Sequence, residues 1–171
     1  MEINFKIILG NILYPKSKSI IIPANMFGLM NKGVQARIVK YGWRRIIEEA
    51  KTIILTKKPE LGQCFVTTSG RLKRRGLKKI YHAIIKKFPS DLVTINIIRK
   101  ALSNALEKVI KDKMTSVSIC GIGIEPGELD TYTVALSMIE VCRRFDHLVE
   151  IKIIDDNKQF INDLNRIIEE K

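Results

Sequence analysis

The chain has 171 residues, of which 46% are hydrophobic and 28% are charged, and this predicts one globular domain over residues 1–171. Its apolar runs are far shorter than the roughly 20 residues that span a bilayer, and its N-terminus lacks a secretory signal pattern. We therefore expect a cytoplasmic protein with no membrane partner. The net charge of +12 is uneven, because residues 1–124 hold 24 Lys and Arg against 7 Asp and Glu. This predicts either a basic face that attracts anions or a solvated lysine-rich surface.

Strand and helix patterns alternate along the chain. Strands are predicted over residues 3–9, 19–22, 63–68, 79–85, 116–120 and 149–154. Helices are predicted over 33–56, with a break near Gly42, and over 92–111, 128–144 and 156–169, the last capped by Asp155 or Asp156. A basic turn is predicted at 69–76. This alternation predicts an α/β fold in which helices cover both faces of a sheet.

The cysteines and histidines suggest structural roles. Cys64, Cys120 and Cys142 are odd in number and include no Cys-x-x-Cys pair, which argues against a disulfide framework and a zinc site and predicts buried thiols. We expect no metal and no cofactor. His82 is predicted to lie in a core strand and His147 in a surface turn.

A glycine-rich loop follows the strand predicted at 116–120. Gly121 and Gly123 are expected to adopt positive φ, and successive N–H groups beside a helix N-terminus bind anions. Because ligands of open α/β sheets bind at the carboxyl ends of strands, the loop predicts a phosphate site, with an ordinary strand-to-helix turn as the alternative. Glu125 and Glu128 are candidates for acid/base or metal-water roles, or are first-turn acids that stabilise the helix N-terminus.

A second buried strand also ends in a polar loop followed by a helix. Asn25 lies where this strand leaves the sheet, and Gly28 and Gly33 flank the loop. Met30 is predicted to be a core residue. Phe27 is predicted either to pack on a sugar or base or to fill the core.

Motifs in these loops and in two strands resemble those of the macro domain family, in the family's order, from about residue 3 to residue 146. The family's Asn-Ala-Ala-Asn and Gly-Gly-Gly-Val are similar to Ile22-Pro23-Ala24-Asn25 and Asn31-Lys32-Gly33-Val34. Its Ser-Thr-Gly to Tyr-Pro loop is similar to Ile119-Cys120-Gly121 through Glu125-Pro126. Its Gly-x-Ala-x-x-Thr and Ile-Ile-His-x strands resemble Gly62-Gln63-Cys64-Phe65-Val66-Thr67 and Ile80-Tyr81-His82-Ala83.

The resemblance implies a three-layer α/β/α sandwich with a mixed, mostly parallel central sheet and a cleft for ADP-ribose or a related nucleotide. It places Asn11 and Ile12 near the base, and Ala24 and Asn25 near the distal ribose. It places both loops at the diphosphate, through Asn31, Lys32, Gly33, Val34, Cys120, Gly121, Ile122, Gly123, Ile124 and Glu125. Asn25 is also the catalytic residue it implies if the chain is an ADP-ribose phosphatase or ADP-ribosyl hydrolase.

Three residues depart from the family pattern, and these departures put hydrolysis in doubt and make binding the safer inference. Asn11 stands where the family has an Asp that recognises the adenine amino group, and it lacks the charge that strengthens such a bond. Gln35 stands where some hydrolases have an Asp, and an amide is not a general base. Lys32 replaces a glycine of the diphosphate loop, where it either adds a phosphate contact or blocks the cleft.

The segment Arg71–Lys87 is a basic run without an acidic residue. Its nucleic-acid candidates are Arg71, Lys73, Arg74, Arg75, Lys78 and Lys79. Such a run contacts phosphates with steep salt dependence, and Tyr81 and Phe88 nearby are candidates for base stacking. The alternatives to RNA or DNA binding are a solvated loop and, for Tyr81, packing in a buried strand. A scaffold that has lost its ligand is a further hypothesis.

Overall fold

The computed structural model describes residues 3–170. Its strands are β1 (Lys6–Leu9), β2 (Ser19–Asn25), β3 (Cys64–Thr68), β4 (Lys79–Lys86), β5 (Ser116–Ile119) and β6 (Glu150–Asp155). Its α-helices are α1 (Gly33–Gly42), α2 (Arg45–Lys57), α3 (Ile95–Lys111), α4 (Thr131–Cys142) and α5 (Lys158–Glu170). A 3₁₀ helix, Gly70–Arg75, lies in the predicted basic turn.

The six strands form one mixed sheet in the order β1-β6-β5-β2-β4-β3. All neighbouring pairs are parallel except β3 and β4, which are antiparallel. The mixed, mostly parallel sheet implied by the family resemblance is therefore confirmed. Five of the six strands end at the same edge, here called the carboxyl edge, and the opposite one is the amino edge.

Helices cover both faces of the sheet, as the alternation predicted. Ile21 points into a core with α3, α4 and α5. Its neighbours Ile20 and Ile22 point to the other face, where Val34 and Ile38 of α1 cover them. This alternation follows from the period of two along a strand, and β2 is apolar on both faces because both are buried. The three-layer sandwich is confirmed.

Helix boundaries differ from the predictions where side chains other than the expected ones cap the helices. The helix predicted from residue 128 begins at Thr131, because Asp130 Oδ1 accepts a hydrogen bond from Thr133 N at 2.9 Å. The last helix begins at Lys158, and Asn157 Oδ1 accepts from Phe160 N at 3.0 Å. Neither Asp155 nor Asp156 caps it, since Asp155 accepts from the N–H groups of Gly121 and Asn157 instead.

The predicted burial is confirmed for His82 and for two of the three cysteines. Cys120 and Cys142 are buried and Cys64 is half-buried, and all three are thiols. Burial raises the pKa of Cys64 to about 11. His82 is buried in β4, donates to or accepts from Thr67 Oγ1 at 2.9 Å and stacks on Phe65. Burial lowers the pKa of His82 to about 3, so it is a neutral core residue.

No helix within residues 3–170 has the length and apolar character needed to cross a membrane.

Candidate functional site

A cleft lies at the carboxyl edge, where the loops after β2 and β5 leave the sheet on neighbouring strands. It contains two cavities of about 370 and about 360 Å³. The first lies beside the β2 end, α1 and the segment after β4, and the second lies between the ends of β1, β5 and β6. Gly33, Val34, Glu125 and Pro126 line both cavities, so these four residues form the boundary between them.

Most of the residues predicted from the β2 loop line the first cavity. Its lining includes Ala24, Asn25, Asn31, Lys32 and Gln35. The second cavity is lined by Ile12 from the first strand end and by part of the glycine loop, whereas Gly123 lines the first cavity and Asn11 lines neither. The lining of the second cavity includes Gly10, Ile12, Cys120, Gly121 and Ile124. The fold thus brings segments about 100 residues apart in sequence to one cleft.

Glu125 crosses the boundary between the cavities. A Cβ atom placed on Gly33 would lie 2.6 Å from Glu125 Oε1, so a glycine is needed for this approach. Gly33 has a φ of 55° and begins α1, and the preceding Lys32 makes no side-chain cap to the helix. The first N–H groups of α1 therefore face the same boundary, and such groups attract anions.

Carboxylates crowd this boundary. Burial raises the pKa of Glu125, and the nearby Glu128 and Asp155 raise it further, while Arg37 and Lys86 lower it. Burial also raises the pKa of Asp155, although it accepts hydrogen bonds from Asn157 and Gly121. These carboxylates repel an anion at the boundary, so the site attracts negative charge less strongly than two glycine loops alone would.

The glycine loop is shaped by close packing as much as by positive φ. Gly123 has a φ of 87°, as expected, and a Cβ there would lie 2.6 Å from Ile98 Cδ1. Gly121 does not adopt a positive φ; a Cβ there would instead lie 2.3 Å from Ile124 Cδ1. The Gly121 N–H already donates to Asp155 Oδ2 at 2.8 Å. Ile122 is fully buried in the core.

Three amide side chains of the site form hydrogen bonds to the backbone, two within their own loops and one between α1 and β2. Asn25 Oδ1 accepts from Phe27 N and Leu29 N, and its Nδ2 donates to Leu29 O at 3.0 Å. Asn11 Oδ1 accepts from Leu13 N at 2.9 Å. Gln35 Nε2 donates to the Pro23 carbonyl. These amides therefore hold the loops that form the cleft walls.

Sequence reasoning missed a charged pair in the first cavity. Lys86 Nζ forms an ion pair with Glu128 Oε1, and both side chains are largely buried. Among the described residues, Glu128 Oε2 has no hydrogen-bond partner. Glu128 is thus not a first-turn acid of α4, since that helix begins three residues later. Lys86 is the last residue of a buried strand and therefore lies at the carboxyl edge, and this position could have predicted its place in the cleft.

The structure decides the surroundings of three residues, Met30, Phe27 and Tyr81, whose roles the sequence left to packing or stacking. Met30 is buried, as predicted. Phe27 is 47% exposed and stacks on Phe88 with ring centroids 5.1 Å apart, so it does not fill the core. Tyr81 is fully buried, and its hydroxyl donates to Asp112 Oδ2 at 2.8 Å, so it is not available for base stacking.

The basic run at 71–87 does not form one face. Lys79 forms an ion pair with Asp112, and Lys86 lies in the cleft. The 3₁₀ helix and Lys78 lie at the amino edge, away from the cleft. His147 is exposed in a turn, as predicted.

Comparisons with known proteins agree with this geometry. The family model described as "Macro domain" matches residues 21–138. An uncharacterized protein of Aquifex aeolicus is 29% identical over 168 residues, covering 96% of this chain and 98% of its own length. A glycine-to-valine variant of the Oceanobacillus iheyensis macrodomain with ADPR has a TM-score of 0.85 at 18% identity, covering 100% of this chain and 98% of its own. The same macrodomain with ADP has a TM-score of 0.84 at 19% identity, covering 100% and 96%.

Proposed function

Because the chain belongs to the macro domain family, we propose that its cleft binds ADP-ribose or a related nucleotide diphosphate. The observation that carries the proposal is the pair of adjoining cavities at the carboxyl edge, which meet at the first turn of α1. ADP-ribose has an adenosine at one end, a ribose at the other and a diphosphate between them, which matches two cavities that share a boundary. Structural neighbours with ADPR and with ADP support the same ligand class.

The ligand residues follow from the two cavities. The diphosphate would lie on Gly33 and Val34 and against the glycine loop, where the N–H groups of α1 and of the loop attract anions. The base would enter the second cavity beside Ile12, and Asn11, next to it in sequence, would support this loop through the hydrogen bond that it accepts from Leu13 N. The distal ribose would enter the first cavity, whose wall Asn25 supports. Lys32 is exposed at the cleft and would add a charge to the phosphate contact.

Calorimetry on the purified protein tests the proposal. We expect ADP-ribose to bind more tightly than ADP, because only ADP-ribose fills both cavities. Lys32→Glu is expected to weaken the binding of ADP-ribose by about three- to tenfold, because the reversed charge repels the diphosphate. Lys57→Glu, on the exposed end of α2, is the matched control and should leave affinity unchanged. Absence of heat with ADP-ribose at millimolar concentration would refute the proposal.

Hydrolysis is a second candidate function, favoured by the Lys86–Glu128 pair. Glu128 lines the first cavity, and its buried Oε2 has no hydrogen-bond partner among the described residues. Once a ligand is bound, this carboxylate would take a proton from a water that attacks the anomeric carbon of the distal ribose. The water oxygen would bond to the anomeric carbon as the bond to the attached group breaks, and the proton taken by Glu128 would pass to the leaving group, so that free ADP-ribose is released. Gln35 cannot do this, because its amide is not basic and is bonded to Pro23.

Turnover of ADP-ribosylated protein and of an ADP-ribosylated oligonucleotide tests this second candidate. Glu128→Gln is expected to keep ADP-ribose affinity within about threefold while reducing release of ADP-ribose by 100-fold or more, as for loss of a general base. Glu169→Gln, exposed on α5, is the control. Wild-type protein that binds ADP-ribose but releases none from either substrate would leave binding alone as the function.

A further inference from the structure

Three exposed aromatic side chains lie near the amino edge, on the far side of α1 from the cleft. Tyr14, Tyr41 and Trp43 are 59%, 44% and 53% exposed. Tyr41 and Trp43 lie at the C-terminal end of α1, whose N-terminal Gly33 faces the cleft. A ten-residue helix is about 15 Å long, so the two sites are well separated.

Guanidinium groups stack on these aromatic rings. Arg71 Cζ lies 4.0 Å from the centre of the Trp43 ring. Arg75 Cζ lies 4.0 Å from the Tyr14 ring centre and 5.4 Å from that of Tyr41. Arg71 and Arg75 both belong to the 3₁₀ helix, so one short segment joins all three rings into one surface. We call Tyr14, Tyr41, Trp43, Arg71 and Arg75 the aromatic–basic surface.

Further cations surround the aromatic–basic surface. Lys73, Arg74 and Lys78 line an open cavity of about 950 Å³ together with Trp43 and Arg71. Lys16 and Lys18 are exposed just before β2, and Lys40 lies 5.5 Å from the Tyr41 ring. An acidic residue nearby, Glu49, accepts hydrogen bonds from Thr68 and pairs with Arg45 at 3.7 Å. Arg45 is mostly exposed, so this pair offsets little of the positive charge that the surrounding lysines and arginines supply.

The aromatic–basic surface is held rigidly, partly in a strained conformation. Trp43 has φ 79° and ψ 164°, a region that bulky residues almost never occupy and that is found mainly at functional sites. The 3₁₀ helix touches the end of α1 so closely that a Cβ on Gly70 would lie 2.0 Å from the Gly42 carbonyl oxygen. Arg75 also donates to the Leu13 carbonyl at 3.0 Å, which fixes the guanidinium between the two tyrosines.

We propose that the aromatic–basic surface binds single-stranded nucleic acid, independently of the cleft. Fixed aromatic rings with cations between them match the alternating bases and phosphates of a single strand. Bases stack on Trp43 and the tyrosines, and phosphates contact the arginines and lysines. An anionic membrane or an acidic protein would engage the charges but has no bases to stack on the rings.

Fluorescence on the whole chain tests the proposal, since Trp43 is its single tryptophan. The probes are oligo(dT) and oligo(U) of about 20 nucleotides, long enough for one stacking groove. We expect both to quench Trp43 emission and to bind with an affinity that falls steeply with salt. Comparing the two probes shows whether DNA or RNA is preferred.

Substitutions locate the binding. Trp43→Leu lacks the fluorophore, so its affinity is measured by filter binding, and we expect oligonucleotide binding to weaken by tenfold or more, as for loss of one stacked base. Arg71→Gln and Lys73→Gln should each reduce the salt slope by about 0.7. Lys158→Gln, exposed on α5, is the charge-matched control and should change affinity only slightly. Thermal melts check that each variant is folded, and Arg71→Lys tests the charge without the planar group.

Two results would overturn the proposal. One is absence of oligonucleotide binding at low salt. The other is binding of inorganic polyphosphate or anionic vesicles as tightly as oligonucleotide, with unchanged Trp43 emission. The first result would show that the surface does not bind nucleic acid, and the second would show that it binds anions in general. Addition of ADP-ribose should leave oligonucleotide affinity unchanged, so the test does not depend on the cleft.

Discussion

Gly70→Ala is expected to destabilise the protein by about 3 kcal/mol, more than any other substitution considered. Gly70 has a φ of 52°, which costs an alanine about 1 kcal/mol or more. Its new methyl group would also lie 2.0 Å from the Gly42 carbonyl oxygen, and a backbone atom cannot move aside cheaply. Chemical denaturation measures the loss.

Gly76→Ala is the matched control for this prediction. Gly76 also has a positive φ, 83°, but apart from Gly76 and its two chain neighbours no heavy atom of residues 3–170 lies within 4 Å of a Cβ placed there. Gly76→Ala should therefore lower the free energy of unfolding only by the cost of the positive φ, about 1 kcal/mol. Equal losses in the two variants would show that the α1 end and the 3₁₀ helix are not in tight contact. The aromatic–basic surface would then lack its rigid support.

Glu125→Gln is expected to tighten ADP-ribose binding by about tenfold, or about 1.4 kcal/mol, near neutral pH. The Glu125 carboxylate lies over Gly33, at the boundary that the proposed diphosphate must occupy. Removing its charge removes repulsion of the diphosphate while a side chain of similar size remains. Calorimetry on wild-type and variant protein measures the change, and Glu169→Gln is the control.

Acid pH should have the same effect on the wild-type protein. The pKa of Glu125 is raised by burial and by Glu128 and Asp155, and that of Asp155 is raised by burial. As pH falls through these raised pKa values, the carboxyl groups become neutral and repel the diphosphate less. Wild-type affinity should therefore increase toward acid pH, and Glu125→Gln should show a shallower dependence. A wild-type affinity independent of pH would contradict the assigned position of the diphosphate.

Much of the fold was predictable from short-range patterns. The alternation of β-branched runs with 3.6-residue periodicity predicted β2, β4 and α3 and a sheet covered on both faces, and the helix break near Gly42 was correct. Helix starts were less predictable, because several polar residues competed for each cap. Asn157 rather than Asp155 caps α5, since the Asp155 carboxylate lies against the Gly121 N–H from another strand.

The sequence by itself determined the two loops of the cleft, since a buried strand followed by glycines and a helix is a local pattern. It also determined the excess of positive charge. Only the tertiary structure decided that Glu125 crosses Gly33, that Lys86 pairs with Glu128, and that the basic run divides between the cleft and the amino edge. It alone brought Tyr14 to Tyr41 through Arg75. Such contacts depend on strand order and helix direction, which place residues far apart in the chain side by side and leave no trace in local periodicity.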